Sequence, residues 1–327
     1  MPPAPRNVLE QLGPDALVFD RRSGKLDGAT PFSRALVAGL QAGSIATEPF
    51  GHRGYGLGCR LIGAFAQQRD LIVRLNEDAA FAMPFCDSYW SRLLNRNYDY
   101  EEEIEAFLES VRNDQYVFVD CGANFGYWSV LVSSQPYGSQ QAIAIEASAA
   151  NAKRLRQNAK LNGNRFRCLH AAVGGSDAGL VRVVGTKHEK LATVPLKEQA
   201  PDAVKMLSLD RLAETGVIDA KRPIVVKLDV EGVEIAALQG ARTLLATGCL
   251  VICEEHGADP THSVSRYLLE TLKLSIVVFD AVARKFCLLD DLGMLDRIKR
   301  HAWVGYNVFA TLNPAWTSRL LREGRSG

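Results

Sequence analysis

The sequence predicts an α/β fold, in which a largely parallel sheet is covered by helices on both faces. From about residue 100 onward, short apolar segments alternate with amphipathic helical segments. The segments VFVD (117–120) and IVVKLD (224–229) are apolar along most of their length, as is typical of parallel strands that are buried on both faces. Ligands bind such sheets at the carboxyl ends of the strands, so we expect the functional site at that edge.

The individual elements follow from periodicity and from capping residues. The clearest helix covers residues 148–163, because Ser148 is a favourable N-cap and Gly163 suits the position just after a helix. The other predicted helices of this region are 100–111, 127–134, 233–248 and 264–273. The other predicted strands are 142–147, 166–174, 250–256, 275–289 and 303–312. Together with the two segments above, these give a sheet of seven strands.

Residues 1–97 differ from this regular pattern and are rich in glycine and proline. We predict helical segments at 32–42 and 59–70. The glycine cluster PFGHRGYGLGCR (49–60) is interpreted as a surface loop, with a mobile lid that carries His52 and Tyr55 as the alternative. We therefore divide the chain into an extension, residues 1–97, which acts as a lid or selects the substrate, and a main domain, residues 98–327.

The amino-acid composition restricts the classes of binding partner that we expect for this protein. The formal net charge is +1, from 38 basic and 37 acidic residues, which argues against a chain-wide grip on nucleic acid. The basic segment 153–167 is interpreted as a solvated helix face. The sequence contains no apolar stretch of 18 residues, so no membrane span is predicted. The N-terminal residues lack the apolar core of a secretory signal. We therefore expect a cytoplasmic protein.

In the segment VFVDCGANFGYWS (117–129), a predicted strand ends at a glycine-containing turn, and two large aromatic residues follow directly after the turn. Dinucleotide-binding proteins use G-x-G-x-x-G at this place, whereas here Gly122 and Gly126 flank Asn124. This disfavours a nicotinamide-dependent oxidoreductase. We interpret the glycines as positions where a ligand approaches the backbone. Asp120 ends the strand with a negative charge, which suits an ammonium or sulfonium group better than a phosphate.

Glu146 is the second marker, because it ends the next strand, 20 residues after Gly126. A carboxylate at that place can accept hydrogen bonds from both ribose hydroxyls of an adenosine. The alternative is a structural acid beside the N-terminus of the following helix. Combined with the glycine turn, Glu146 predicts S-adenosylmethionine as the cofactor.

Several segments resemble the FkbM-type S-adenosylmethionine-dependent methyltransferases. In chain order they are DCGANFGYWS, AIEAS, LNG, AAVG, LSLDRL, VKLDVEGVEIAALQGA and CEEH, and the resemblance covers roughly residues 98–312. It implies a class I methyltransferase fold, a Rossmann-like sheet of seven strands with helices on both faces. It also implies methylation of hydroxyl oxygens on sugars and secondary metabolites, as in polysaccharide biosynthesis. Two departures are Ala147, where the family has proline, and the segment 185–205, which fits no family pattern.

The resemblance also implies the roles of individual residues. Asp120, Gly122, Asn124 and Gly126 line the methionine part of the cofactor, Glu146 holds the ribose, and Ala171 and Ala172 lie beside the adenine. Glu101, Tyr127 and Asp229 complete the expected cofactor-binding set. The expected partner is a small-molecule or glycan substrate, and we also expect a homodimer.

Two residues are candidates for the general base that accepts the proton of the methylated hydroxyl. His256 lies at the active edge and has a suitable pKa range, and Asp229 lies beside the methyl donor. We expect Glu254 or Glu255 to pair with Lys227, and no bound metal. The alternative is a divalent cation held by Asp229, Glu231, Glu255 and His256. At the level of function, the alternatives are an N- or C-methyltransferase on a small molecule and a non-catalytic cofactor-binding module.

Overall fold

The computed structural model describes residues 16–66, 69–177, 179–299 and 304–323. Its centre is an eight-stranded sheet, which confirms the predicted α/β fold. In spatial order the strands are β15 (Lys285–Leu288), β14 (Ser275–Asp280), β16 (Tyr306–Thr311), β13 (Leu250–Glu255), β12 (Ile224–Leu228), β5 (Val117–Cys121), β6 (Gln141–Glu146) and β7 (Phe166–His170). The last five run parallel, whereas β16 is antiparallel to both of its neighbours. The chain order reverses between β5 and β12, which is where ligands bind such sheets.

Helices cover both faces of this sheet. They are α3 (Glu102–Ser110), α4 (Tyr127–Val132), α5 (Ala149–Leu161), α6 (Leu209–Glu214), α7 (Glu234–Gln239), α8 (Arg242–Ala246), α9 (Ser263–Arg266), α10 (Gly293–Ile298) and α11 (Pro314–Glu323). Neighbouring residues of β5 enter different cores, because side chains alternate across a strand. Phe118 packs with Phe107 and Phe309 on one face, whereas Val117 and Val119 pack on the other. Among the described residues, the model contains no helix with the length and apolar character that a membrane span requires.

The N-terminal region forms a second sheet that was not predicted. Its strands, in the order β2-β1-β3-β4, are β1 (Leu17–Asp20), β2 (Leu26–Asp27), β3 (Asp70–Arg74) and β4 (Ala80–Pro84), joined by α1 (Pro31–Thr47) and α2 (Tyr55–Gly63). Asn158 of α5 and Asn162, which caps the end of this helix, bind the backbone of β4. Ala82 N–H donates to Asn158 at 2.7 Å and Ala80 N–H donates to Asn162 at 3.0 Å. The N-terminal region is therefore docked directly against the main sheet.

The interpretation of residues 49–60 as a surface loop is wrong. A short 3₁₀ helix, Glu48–Phe50, is followed by α2, and Tyr55 and Cys59 are buried. The Tyr55 hydroxyl lies 2.9 Å from Ser91 Oγ. The two inward side chains explain why this glycine-rich segment is helical. Of the predicted helix 59–70, residues 67–68 lie outside the described residues.

A third sheet occupies the segment between the third and fourth parallel strands. Its order is β10-β9-β11-β8, from β8 (Ala172–Val173), β9 (Leu180–Lys187), β10 (Lys190–Leu196) and β11 (Val204–Leu207). The predicted strand 166–174 is accordingly divided at Ala171 between β7 and β8. The strands β9 and β10 form an antiparallel hairpin with mostly exposed side chains.

Three further predicted elements are divided by turns. The predicted helix 233–248 breaks at Gly240, where a Cβ would lie 2.4 Å from the Gly174 carbonyl oxygen. The Asp210 carboxylate then accepts hydrogen bonds from Thr243 N–H at 3.0 Å and Leu244 N–H at 2.8 Å, so it caps α8. The predicted strand 275–289 is the hairpin of β14 and β15, which adds the eighth strand, and helix 264–273 ends in a π-helical turn, Tyr267–Thr271. In the predicted strand 303–312, residue 303 lies outside the described residues.

Candidate active site

A cleft of about 810 Å³ opens at the carboxyl ends of β5, β6 and β12, where the sheet topology predicts a ligand site. Most of the predicted cofactor residues meet there. Those that line the cleft are Asp120, Gly122, Asn124, Tyr127, Glu146, Ala171, Ala172 and Asp229. Gly126, Glu101 and His256 lie outside its lining.

The glycines of the turn after β5 allow close packing between protein segments, and the hypothesis that a ligand approaches the backbone there stays a prediction. A Cβ on Gly122 would lie 1.7 Å from the Asp229 carbonyl oxygen, and its φ is +79°. A Cβ on Gly126, whose φ is +88°, would lie 2.5 Å from Leu155 Cδ1. Both positions therefore require glycine for conformation and for space. Gly122 brings the ends of β5 and β12 together, and this places Asp120 and Asp229 in one cleft.

Glu146 is buried at the end of β6, and backbone groups hold its carboxylate. Its Oε1 accepts a hydrogen bond from Ser148 N–H at 2.7 Å, and its Oε2 accepts one from Asn124 N–H at 2.8 Å. Burial raises the pKa of Glu146 to about 7, although the two backbone hydrogen bonds oppose this rise. Each carboxylate oxygen keeps a free lone pair that can accept another hydrogen bond. Both the predicted ribose role and its structural alternative are thus compatible with this geometry.

Lys227 is a buried cation that lines the cleft. Its Nζ lies 2.9 Å from Asp229 Oδ2 and 3.9 Å from Glu101 Oε2, so the prediction that Glu254 or Glu255 would be its partner is wrong. Burial alone would lower the pKa of Lys227, but these two carboxylates and Asp120 raise it well above its usual value. Lys227 therefore remains charged and orders the carboxylates around it.

Glu101 is held in place by side chains of three elements. Its carboxylate accepts hydrogen bonds from Trp128 Nε1 and, at 3.2 Å, from Asn307 Nδ2, and it faces Lys227. It precedes α3 with a φ of +48°, which is unusual for a residue other than glycine. Burial raises the pKa of Glu101, although Lys227 opposes this rise. Glu101 therefore supports the wall of the cleft from behind.

The carboxyl groups of the cleft differ in their protonation. Burial raises the pKa of Asp120 to about 6 and that of Glu231 to about 7. Burial acts to raise the pKa of Asp229 as well, but Lys227 and a hydrogen bond from Glu254 lower it below its usual value. Burial and the neighbouring Asp229 raise the pKa of Glu254 well above the ordinary range, so Glu254 is the protonated partner that donates to Asp229. Asp229 is thus the ionised carboxylate nearest to Lys227.

His256 lies at the rim, and 41% of its side chain is exposed. Its Nε2 lies 3.8 Å from the buried carboxylate of Glu234, which accepts hydrogen bonds from Val230 N–H and Gly232 N–H. Its catalytic role stays a prediction. Within the part of the chain that the structure describes, no group of three or more His, Cys, Asp or Glu side chains is arranged to hold a metal ion. The alternative metal set therefore does not converge, since Glu255 accepts from Ser265 N–H instead.

The outer wall of the cleft consists of residues that sequence reasoning missed. They are Tyr89, Trp90, Tyr100, His188 and Glu189. Tyr89 and Trp90 come from the end of the N-terminal region, Tyr100 follows shortly after it, and His188 and Glu189 form the tip of the β9–β10 hairpin. The run of aromatic residues in 89–100 was a signal for a packed surface, but nothing in the periodicity of 185–205 indicated that a tip would reach the cleft.

Comparison with known proteins identifies the domain that contains this cleft. Residues 120–273 match the methyltransferase FkbM domain. The hexuronic acid methyltransferase AglP of Haloferax volcanii is 27% identical over 176 residues, which are 54% of this chain and 70% of that protein.

Solved structures with similar folds include a methyltransferase FkbM from Methylobacillus flagellatus, with 17% identity and a TM-score of 0.37. That match covers 60% of this chain and only 44% of the other, so this chain spans less than half of that relative. TYW2 of M. jannaschii, solved in complex with AdoMet, is 14% identical with a TM-score of 0.43, over 76% of this chain and 86% of that one. On the match of residues 120–273, this part of the chain is a methyltransferase FkbM domain.

Proposed function

We propose that this enzyme transfers the methyl group of S-adenosylmethionine to a hydroxyl oxygen of a sugar, a glycan, or a glycosylated or secondary metabolite. The charge of the cleft is the observation that carries the cofactor half of this proposal. Five of the described lining residues bear a carboxyl group, against one lysine and one histidine. They are Asp120, Glu146, Glu189, Asp229 and Glu231. A cleft of this charge favours a ligand that is cationic at its sulfonium and ammonium groups.

The residues present fit each part of the proposed cofactor. Glu146 would accept hydrogen bonds from the ribose hydroxyls, because its backbone contacts leave lone pairs free on both oxygens. Ala171 and Ala172 offer small apolar side chains for the adenine. Asp120 and Asn124 would contact the methionine end. When bound, the cofactor supplies an activated methyl group, and the protein contributes position and electrostatics.

The acceptor side combines aromatic faces with a carboxylate. Tyr89 and Tyr100 are partly exposed in the cleft and offer apolar ring surface to the C–H groups of a sugar, whereas Trp90 is buried with its ring stacked on Tyr127. In the transfer, a bond forms between the acceptor oxygen and the methyl carbon while the sulfur–carbon bond breaks, and the hydroxyl proton must leave. We assign the proton to Asp229, because it is ionised and lines the cleft, whereas His256 does not line it.

The similarity to a hexuronic acid methyltransferase supports a sugar as the acceptor. The proposed acceptor therefore includes hexuronic acids and other glycosides. The homodimer, the cytoplasmic location and the division at residue 97 stay predictions.

The test is an incubation with deuterated-methyl S-adenosylmethionine and a panel of hexuronides, neutral glycosides and amines, followed by mass spectrometry. The proposal predicts a mass gain of one deuterated methyl group on an oxygen of a sugar. A label on nitrogen or carbon would support the N- or C-methyltransferase instead. If the protein binds the cofactor but labels no acceptor, the non-catalytic binding module gains support.

A further inference from the structure

The β9–β10 hairpin pairs with β11 at its base and reaches the cleft at its tip. Most side chains along both of its strands are exposed. At its tip, residues 187–190, His188 and Glu189 are partly buried and line the cleft, together with Leu191 and Thr193 of the returning strand, whereas Lys187 and Lys190 are exposed. The position of the tip over the cleft therefore depends on the contacts of His188 and Glu189.

His188 makes those contacts with three separate segments. Its carbonyl oxygen accepts hydrogen bonds from Asn124 Nδ2 at 2.8 Å and Asn151 Nδ2 at 2.9 Å. Its ring stacks on Phe125 with a centroid distance of 4.7 Å and an interplanar angle of 19°. Its Nε2 lies 2.9 Å from Asp87 Oδ2. The tip is therefore fixed to the glycine turn, to α5 and to the N-terminal region at once.

Asp87 is itself fixed in place. Its Oδ1 accepts hydrogen bonds from Tyr89 N–H at 2.9 Å and Trp90 N–H at 2.8 Å, and only 8% of its side chain is exposed. The Trp90 indole in turn donates to Asn124 Oδ1 at 3.1 Å. Contacts thus run from Asp87 through both His188 and Trp90 to Asn124.

Asn124 connects this network to the proposed ribose site. The Asn124 side chain donates to the His188 carbonyl oxygen, and the Asn124 backbone N–H donates to Glu146. Movement of the tip and the position of Glu146 are coupled through one residue. A ligand held by Glu146 would be enclosed by the docked tip, and its release would require the tip to move.

We propose that the hairpin tip is a clamp over the adenosyl end of the cleft, with His188 as its positioning residue and Asp87 as the anchor in the N-terminal region. This inference rests on the proposed cofactor site. It assigns a role to the N-terminal region, which holds the clamp closed, and to the segment 185–205, which departs from the family pattern. When protein contacts such as that between His188 and Asp87 are coupled to a bound ligand, the coupling typically changes the affinity for that ligand by about 5- to 150-fold.

The test compares His188→Ala, Asp87→Asn and the double variant with wild type. Asp87→Asn keeps an oxygen that can accept from Tyr89 and Trp90, and removes only the charge. The control is Lys187→Ala, an exposed neighbour on the same hairpin that does not line the cleft. Dissociation of S-adenosylhomocysteine is measured by stopped flow, and hydrogen exchange of the tip amides is measured without ligand.

Both single variants should speed dissociation about 5- to 150-fold and increase exchange at the tip, with the melting temperature of the ligand-free protein nearly unchanged. The double variant should add little, because both changes break one contact. Wild-type dissociation and exchange in both single variants would overturn the clamp. If wild type binds neither S-adenosylmethionine nor S-adenosylhomocysteine, the proposed cofactor site fails, and the clamp fails with it.

Discussion

The two halves of the cleft are built in different ways. The inner half, Asp120, Glu146 and Asp229, projects from the ends of parallel strands that are buried on both faces. The outer half, Tyr89, Trp90, His188 and Glu189, comes from two segments about 100 residues apart that meet only through side-chain contacts. The inner half is held by the sheet, whereas the outer half is held by a few contacts such as that between His188 and Asp87.

The inner half holds the reactive carboxylates rigidly, whereas the outer half can adjust the access of ligands to the cleft. Gly122 packs directly on the Asp229 backbone, so the carboxylates of the inner half cannot shift without disturbing the sheet. In the outer half, Trp90 is part of the core, but the mostly exposed hairpin can change its residues at a smaller cost. We therefore expect changes in the inner half to abolish catalysis or binding, and changes in the outer half to alter rates of ligand exchange and acceptor choice.

The largest effect is expected for Asp229→Asn. Loss of the proton acceptor should lower kcat by about 10²- to 10⁴-fold, with a smaller change in cofactor affinity. Single-turnover kinetics with an identified acceptor measure this loss. His256→Ala is the matched control at the rim and should stay within about tenfold of wild type. A larger loss in His256→Ala than in Asp229→Asn would transfer the role of base to the histidine.

The next effect is expected for Glu146→Ala. Truncating one partner of a buried, charged hydrogen bond costs about 2–5 kcal/mol, so the affinity for S-adenosylmethionine should fall at least roughly 30-fold. Isothermal titration calorimetry measures it. Glu146→Gln should lose less, because it keeps one oxygen that can accept a hydrogen bond. Wild-type affinity in Glu146→Ala would leave Glu146 with only its structural role beside Ser148 and Asn124.

The stability of glycine variants tests how rigidly the inner half is packed. Gly122→Ala places a methyl group against the Asp229 carbonyl at a φ of +79°, so we expect the free energy of unfolding to fall by about 2–5 kcal/mol. Gly163→Ala is the control, because its φ is +70° but no atom lies within 4 Å of the added Cβ. It should cost about 1–2 kcal/mol. Urea unfolding that shows equal losses in the two variants would refute the close packing of β5 and β12.

The smallest effect concerns pH. Burial raises the pKa of Glu146 to about 7. Only its ionised form leaves both carboxylate oxygens able to accept hydrogen bonds from the ribose hydroxyls. Its contribution to S-adenosylmethionine binding is therefore present above that pKa and is lost below it. Between pH 8 and pH 6 this loss amounts to about tenfold in affinity. The difference between wild type and Glu146→Gln isolates it from other groups that titrate, such as His188. Parallel pH profiles for the two proteins would contradict the assignment.

Sequence reasoning located the inner half well, because local patterns determine it. Apolar strands ending in an acid predicted the positions of Asp120, Glu146 and Asp229, and Ser148 was correctly expected to cap α5, since its side chain accepts from Asn151 N–H. The sequence predictions were wrong where contacts between distant segments determine the structure. Gly240 breaks a helical pattern because Gly174 approaches it, and Lys227 pairs with Glu101, which lies 126 residues earlier in the chain.

The outer half could not be predicted for a related reason. The hairpin strands are exposed on most positions, so they carry no apolar alternation that would mark them as strands. The strands of the N-terminal sheet are short, with two to five residues each, and glycine and proline residues between them resemble loops. Contacts in three dimensions, such as that between Asp87 and His188, join these two segments into one wall.

The most direct test of the account is thermal unfolding of the wild-type protein with S-adenosylmethionine, S-adenosylhomocysteine and NAD in turn. A ligand at 100 times its Kd adds about 2.7 kcal/mol to the stability of the folded state, which corresponds to a rise of about 5 °C in Tm. The account predicts this rise with both sulfur ligands and none with NAD, because the inner half presents carboxylates where a pyrophosphate would lie. A rise with NAD alone would contradict it.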